Sequence, residues 1–180
     1  MKGIVFNLLN EMVEERFGLA AWDALLTETR LDGIYVASAT YPDAELMALV
    51  AAASDATEIP TALLVHAFGE YMAPKFAERY PVFFDGHRCL KSFLLTVDEV
   101  VHVEVRKLYP EANLPEFRYE DRGDNSLTMI YRSPRKLCGL AEGLIAGSAK
   151  HFGQRYTLRH DVCMHRGSDH CVLELTLLPD

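Results

Sequence analysis

The stretch Tyr131-Arg132-Ser133-Pro134-Arg135 decides the fold, because two kinds of hydrophobic pattern meet there. Upstream of it, Phe117–Glu120 and Leu127–Tyr131 alternate apolar and polar residues on either side of the turn-forming sequence Arg122–Asn125. Alternation broken by glycine, aspartate and asparagine is typical of a β-hairpin. The chain is therefore predicted to enter this stretch as a strand.

Downstream of the same stretch, the sequence predicts a helix followed by a second hairpin. Ser133 and Pro134 are residue types that favour the N-cap and first position of a helix, which we expect to run to about Phe152. Tyr156–Cys163 and Cys171–Leu177 then form the predicted second hairpin.

The first two-thirds of the chain has helical spacing. Apolar residues recur every three or four positions in the first segment, and Gly18 is a natural stop. Further helices are predicted over Ala20–Thr29 and Asp43–Ser54, with a pair over Thr61–Glu78 broken near Gly69 or Pro74.

A further helix, Val97–Leu108, is predicted to carry His102. Thr96 and Glu99 have the spacing of a capping box, and Pro110 ends the segment. His102 lies at the edge of the apolar stripe of this helix, formed by Val97, Val101, Val105 and Leu108.

Composition indicates one domain without nucleic-acid partners. The chain has 180 residues, 49% of them hydrophobic, which is enough for a substantial core. A net charge of -8 would repel phosphate backbones. Glu11, Glu14 and Glu15 interrupt any leader-like segment, and the longest apolar run, Leu46–Ala53, is too short to cross a bilayer. We therefore expect a cytoplasmic protein with no membrane association and with reduced cysteines.

Four polar residues suggest a heme pocket. Heme iron needs an axial base, which His102 offers, and the two propionates need hydrogen-bond donors, which Tyr131, Ser133 and Arg135 offer. Each residue also has an ordinary interpretation: a structural histidine, a tyrosine in the sheet, a helix-capping serine and an arginine paired with a surface acid. Taken as a set, the four favour the heme hypothesis.

A second cluster could bind a metal. Cys138, His160, Cys163 and Cys171 supply three thiols and an imidazole, the ligand types of tetrahedral zinc. Their spacing is not that of a standard zinc finger, so the residues alone leave a zinc site and a group of core thiols equally open. His165 and His170 are alternative ligands. We interpret Cys89 as a buried thiol.

The chain resembles the heme nitric oxide/oxygen-binding (H-NOX) family from end to end. The resemblance rests on M-K-G-I-V-F-N at residues 1–7, V-V-H-V-E-V-R-K-L-Y around His102, and Y-x-S-x-R followed by C-G-L-A-E-G-L at residues 131–144. It implies an α+β fold with a helical N-terminal part, a C-terminal four-stranded antiparallel sheet with helices, and heme buried between them. It also implies a single sensor domain over 1–180, with a distal part at about 1–60 and a proximal part at about 61–180.

The resemblance also assigns roles at the site. It implies heme b with His102 as axial ligand, propionates held by Tyr131, Ser133 and Arg135, and Pro115 pressing on the porphyrin. Pocket-lining positions fall at Val5, Leu9, Leu140 and Leu144. Leu140 stands where oxygen-binding members place a tyrosine, which implies selectivity for nitric oxide. Some bacterial members carry a zinc site that Cys138, His160, Cys163 and Cys171 match.

The implied function is that of a bacterial stand-alone nitric oxide sensor and not of an enzyme. Loss of the iron–His102 bond would signal to a separate histidine kinase or to a cyclic-di-GMP synthase or hydrolase. A zinc-thiolate redox sensor acting independently of heme is the alternative. A zinc hydrolase is disfavoured, since four protein ligands leave no open position for water.

Overall fold

The computed structural model describes residues 1–179, and it is a mixed α+β structure with the helices mainly in the N-terminal part. The helices are α1 Gly3–Phe17, α2 Leu19–Thr29, α3 Asp43–Thr57, α4 Thr61–Arg79, α5 Leu90–Leu94, α6 His102–Leu108 and α7 Cys138–His151. The strands are β1 Glu116–Asp121, β2 Ser126–Arg132, β3 Tyr156–Arg159 and β4 Cys171–Leu177. Short 3₁₀ turns lie at Pro81–Phe83 and Met164–Arg166, and a π-helical segment lies at Val97–Val101.

The four strands form one antiparallel sheet in the order β1-β2-β4-β3, which confirms the predicted fold class. Tyr131 on β2 lies opposite Phe117 on β1 and opposite Cys171 on β4. Directly paired residues in an antiparallel sheet share a face. The candidate heme residue Tyr131 and the candidate metal ligand Cys171 are therefore neighbours on one face of the sheet.

Two hydrophobic cores meet at α7. Ala141, Ile145 and Ala149 belong to the core between this helix and the sheet. Leu140 and Leu144 pack instead against the core formed by α1 to α4. Helical periodicity gives α7 these two apolar faces, so it connects the sheet to the helical part of the molecule.

Backbone contact between α4 and α7 depends on glycine. A Cβ placed on Gly143 would lie 2.0 Å from the carbonyl oxygen of His66, and one on Gly69 would lie 2.4 Å from that of Leu140. Gly147 is similarly close, at 2.4 Å, to the carbonyl oxygen of Glu70. No larger residue fits at these positions without moving one helix away from the other.

The predicted break in α4 is wrong. Thr61–Arg79 is one helix that contains Pro74. A proline removes one backbone hydrogen bond, but Met72, Ala73 and Ala77 around it are buried, and this packing keeps the segment helical. Gly69 lies at the crossing with α7 and does not end the helix.

The predicted start of α7 at Ser133 is also wrong, since the helix begins at Cys138. Lys136 has a left-handed backbone with φ of 51°, which interrupts helical geometry between Pro134 and Cys138. The Leu137 amide donates a hydrogen bond of 3.0 Å to the hydroxyl of Tyr131. The Ser133 hydroxyl accepts from the Arg135 amide at 3.3 Å and does not cap α7.

The third predicted strand is shorter than expected, because β3 ends at Arg159. His160 and Cys163 therefore lie in the connection to β4, not on a strand. A 3₁₀ turn at Met164–Arg166 and a left-handed Gly167, with φ of 93°, reverse the chain there.

The segment that carries His102 is less regular and less buried than predicted. Residues Val97–Val101 are π-helical, and α6 begins only at His102. The Thr96 hydroxyl donates to the carbonyl oxygen of Phe93 at 2.8 Å, so the predicted capping box does not form. Every residue of Val97–Leu108 keeps some solvent exposure, and Leu108 is 72% exposed.

In the part of the chain that the structure describes, no single helix combines the length and apolar character needed to cross a membrane. The pair α3 and α4 meets both criteria when taken together, but the two helices are bent by 114° relative to one another.

Candidate heme pocket and metal centre

Of the two ring nitrogens of His102, Nδ1 is paired and Nε2 has no hydrogen-bond partner within residues 1–179. Its side chain is 12% exposed, and Nδ1 lies 3.1 Å from Oδ1 of Asp98. Burial lowers the pKa of His102, and Asp98 opposes that shift in part. With Nδ1 donating to Asp98, the neutral ring leaves the Nε2 lone pair available, as an axial iron ligand requires.

Tyr131 and Ser133 are both buried, with 2% and 3% exposure. Burial raises the pKa of Tyr131, while hydrogen bonds with the Ser133 hydroxyl and the Leu137 amide and the charge of Arg135 act against this rise. The charge of Arg135 also contributes to lowering the pKa of His102. The Tyr131 hydroxyl also accepts from the Leu137 amide, which holds Tyr131 next to the segment that carries Arg135.

Arg135 has unused hydrogen-bonding capacity. Its side chain is 14% exposed, and its Nε is buried without a hydrogen-bond partner among the described residues. The Asp43 carboxylate lies 3.8 Å from its terminal nitrogen, beyond hydrogen-bond distance. A cavity of about 290 Å³ opens beside Arg135 and is lined on its other side by Asp43, Leu46 and Met47. A buried guanidinium with a free donor fits a carboxylate such as a heme propionate.

The positions named as pocket-lining lie on apolar packing surfaces. Leu9 is buried, and Val5, Leu140 and Leu144 pack half-buried against the helical core. Pro115 is half-buried directly before β1. None of these five side chains offers a hydrogen-bond donor.

Tyr71 is the tyrosine of α4 that packs against the same helical core. Its ring lies 5.2 Å from Nζ of Lys75, which forms an ion pair of 2.9 Å with Glu15. Burial raises the pKa of Tyr71, and Glu15 raises it further. The hydroxyl itself is buried without a hydrogen-bond partner among the described residues.

The four candidate metal ligands meet in space. One ligand atom from each of Cys138, His160, Cys163 and Cys171 lies within 4.8 Å of all the others. Sγ of Cys163 is 3.9 Å from Sγ of Cys138 and 4.0 Å from Sγ of Cys171. Nε2 of His160 is buried without a hydrogen-bond partner in the described chain, while its Nδ1 pairs with Glu142. Three thiols and an unpaired imidazole nitrogen fit tetrahedral zinc.

The thiols of Cys138 and Cys171 are held protonated when no metal is bound. Burial, followed by the neighbouring Cys171 and Cys163, raises the pKa of Cys138 to about 12. Burial also raises the pKa of Cys171. A metal must therefore displace protons from these thiols when it binds, which makes binding depend on pH.

Three other residues considered from the sequence lie apart from this cluster. Nε2 of His165 lies 2.7 Å from the Lys136 carbonyl oxygen, and Nδ1 of His170 lies 2.6 Å from Asp169. Neither histidine lies on a strand, and neither belongs to the group of ligand atoms that converge. Cys89 is half-exposed, which corrects its interpretation as a buried thiol.

Sequence reasoning missed two carboxylates beside the candidate ligands. Asp98 precedes His102 by four residues, a spacing that brings side chains together on a helix and could have been noticed. Glu142 is 18 residues from His160 in sequence, and only the fold brings the two together.

Comparisons with known proteins show which family the chain is similar to. A family model described as Haem-NO-binding matches residues 2–160. An H-NOX protein from S. oneidensis in the Fe(II)NO ligation state has 36% identity and a TM-score of 0.94, covering 99% of this chain and 100% of that chain. An Fe(II) unliganded H-NOX protein from K. algicida has 29% identity and a TM-score of 0.91, covering 100% and 98%. The H-NOX from Shewanella woodyi in the Fe(II)CO ligation state, bound to IWP-051, has 32% identity and a TM-score of 0.87, covering 99% and 95%. No curated protein matches the chain.

Proposed function

We propose that this chain, which belongs to the Haem-NO-binding family of heme-based gas sensors, is a nitric oxide sensor. It signals by release of His102 from heme iron. The observation that carries the proposal is the pairing of His102 Nδ1 with Asp98, which leaves Nε2 for iron, together with the buried Nε of Arg135, which has no hydrogen-bond partner among the described residues. Heme, when bound, supplies a ferrous iron that takes nitric oxide.

The helix that carries His102 is suited to moving when the ligand bond is lost. Every residue of Val97–Leu108 retains some exposure, so the segment is held by few buried contacts. Segments with few buried apolar contacts rearrange at low free-energy cost. A ligand shifts a conformational equilibrium only through its preference for one state, and here the loss of the iron–His102 bond supplies that preference.

Selectivity for nitric oxide is proposed from the apolar side chains Val5, Leu9, Leu140 and Leu144. Bound oxygen is polarised and gains from a hydroxyl donor, whereas nitric oxide binds ferrous iron without one. Pro115 is proposed to contact the porphyrin on the His102 side, and Tyr131, Ser133 and Arg135 are proposed to hold the propionates.

The first test is the absorption spectrum of the reduced protein. We expect a heme Soret band that shifts when nitric oxide is added and stays unchanged in air. Failure to take up heme during reconstitution would reject the proposal, and a shift in air would reject the selectivity.

The output is proposed to act on a separate protein, either a histidine kinase or a cyclic-di-GMP synthase or hydrolase, in the cytoplasm. The variant His102→Gly should reproduce the effect of nitric oxide on that partner, because its helix is permanently free of the iron. His151→Gly, at the end of α7, is the matched control and should behave as the unmodified protein. A His102→Gly protein that leaves partner activity unchanged would reject the mechanism. Pull-downs against both partner classes identify the target.

The division of the chain into a distal part, about 1–60, and a proximal part, about 61–180, remains part of this proposal. Limited proteolysis with and without heme tests it, because cleavage near residue 60 should then respond to heme.

A second candidate function rests on the contacts among Cys138, Cys163 and Cys171. Zinc-bound thiolates react with oxidants, and zinc release would signal independently of heme. Peroxide treatment of heme-free, zinc-loaded protein should then release zinc and change partner activity. Zinc release without that change would reject this candidate.

A further inference from the structure

Asp98 is placed where it can control the candidate iron ligand. One carboxylate oxygen, Oδ1, lies 3.1 Å from Nδ1 of His102 and 3.4 Å from the backbone nitrogen of Phe117. The Asp98 backbone amide in turn donates to the hydroxyl of Tyr119 at 3.3 Å. A single residue thus connects the His102 ring to two positions on β1.

The surroundings strengthen this connection. The Asp98 side chain is 24% exposed and that of His102 is 12% exposed, so solvent screens the pair only in part. The Phe117 ring lies 5.9 Å from the His102 ring, measured between centroids, and is tilted by 30°. The imidazole is therefore restrained by a hydrogen bond at one edge and by an aromatic ring beside it.

The chemistry follows from which ring nitrogen carries the proton. A carboxylate that accepts from Nδ1 fixes the proton there, leaves Nε2 as the metal-binding atom, and increases electron donation from the ring. A backbone amide that donates to the same oxygen keeps the carboxylate in place.

We infer that Asp98 is the positioning residue for His102, and that it sets both the strength of the iron–His102 bond and its mechanical connection to β1. This inference rests on the proposed heme function. It also implies that strand β1 is the first part of the sheet to respond when His102 is released. The reason is that Phe117 and Tyr119, both on β1, are hydrogen-bonded to Asp98.

The test compares Asp98→Asn and Asp98→Ala with the unmodified holoprotein. Asparagine keeps an oxygen acceptor but removes the charge, so the iron–histidine stretching frequency in the resonance Raman spectrum of the reduced protein should fall. Alanine removes the orienting contact as well, and heme transfer to an acceptor apoprotein should become faster by about 10-fold to 100-fold. Glu104→Gln is the matched control, since Glu104 lies on α6 with His102 but pairs with Lys107, and it should change neither measurement.

The outcomes separate this inference from the proposed function. If the unmodified protein binds heme without an iron–histidine stretch, the proposed function fails. If the stretch is present and Asp98→Asn leaves its frequency unchanged, only the role of Asp98 is rejected. An equal fall in Asp98→Asn and Glu104→Gln would also reject it, because a general charge effect would then explain the shift.

Discussion

Replacing Gly143 with alanine should destabilise the protein through the α4–α7 contact. The added Cβ would lie 2.0 Å from the His66 carbonyl oxygen, whereas ordinary contact begins at 3.4 Å, so the two backbones must separate by about 1.4 Å. Overpacking of this kind costs roughly 1–3 kcal/mol, and the clash here is with backbone atoms that have no rotamer to escape into. The higher helix propensity of alanine relative to glycine offsets about 1 kcal/mol of this cost. Because backbone atoms cannot move aside as side chains do, the upper end of that range applies, and we expect the free energy of unfolding to fall by about 2 kcal/mol after the propensity gain.

Gly139 provides the matched control on the same helix. A Cβ there would meet nothing closer than 3.9 Å, so Gly139→Ala should leave stability unchanged or raise it by up to about 1 kcal/mol. Urea denaturation of the two variants measures the difference directly, and the melting temperature of Gly143→Ala should fall by roughly 4–8 °C. Equal stability of the two variants would refute the close backbone approach.

The remaining predictions concern the metal centre and ligand selectivity. Glu142→Gln should weaken zinc binding by about 10-fold to 100-fold in a chelator competition, because Glu142 orients His160, and unchanged affinity would contradict that role. Metal-free protein should lose stability as pH rises from the ordinary thiol pKa of about 9 towards 12. Over this range the raised pKa of Cys138 keeps its thiol protonated in the folded state, whereas the same thiol ionises in the unfolded state. Zinc-loaded protein, whose thiolates are already deprotonated, should show a smaller loss in the same pH series of urea titrations. Leu140→Tyr should create a spectrally detectable complex with oxygen, and a spectrum that stays unchanged in air would contradict the assignment of Leu140 to the ligand pocket.

Local pattern predicted most of the secondary structure. Gly18 ends α1 as expected, and the hairpin of β1 and β2 lies where alternation placed it. The misses occur where tertiary contacts override local preference. Pro74 stays inside a helix because its neighbours are buried, and α7 starts late because Tyr131 holds the Leu137 amide.

The candidate metal centre shows a second limit of the sequence. The spacing of the four residues in the sequence did not decide between a zinc site and a group of core thiols. The reason is that Cys138 begins a helix while Cys163 lies in an irregular connection. The pairing of β2 with β4 places Cys171 opposite Tyr131, and Tyr131 in turn holds the Leu137 amide directly before Cys138, so the fold brings distant ligands together. Asp98 illustrates the opposite case, since its distance of four residues from His102 was readable in the sequence.

The π-helical segment Val97–Val101 has a geometric consequence for the ligand helix that follows it. A π-turn contains one residue more than the α-turn it replaces. Returning that residue to α-helical geometry would rotate everything beyond it by about 100° and translate it by about 1.5 Å. Such a change would therefore turn the His102 side chain by one discrete step in helical register and not by a gradual bend of the helix.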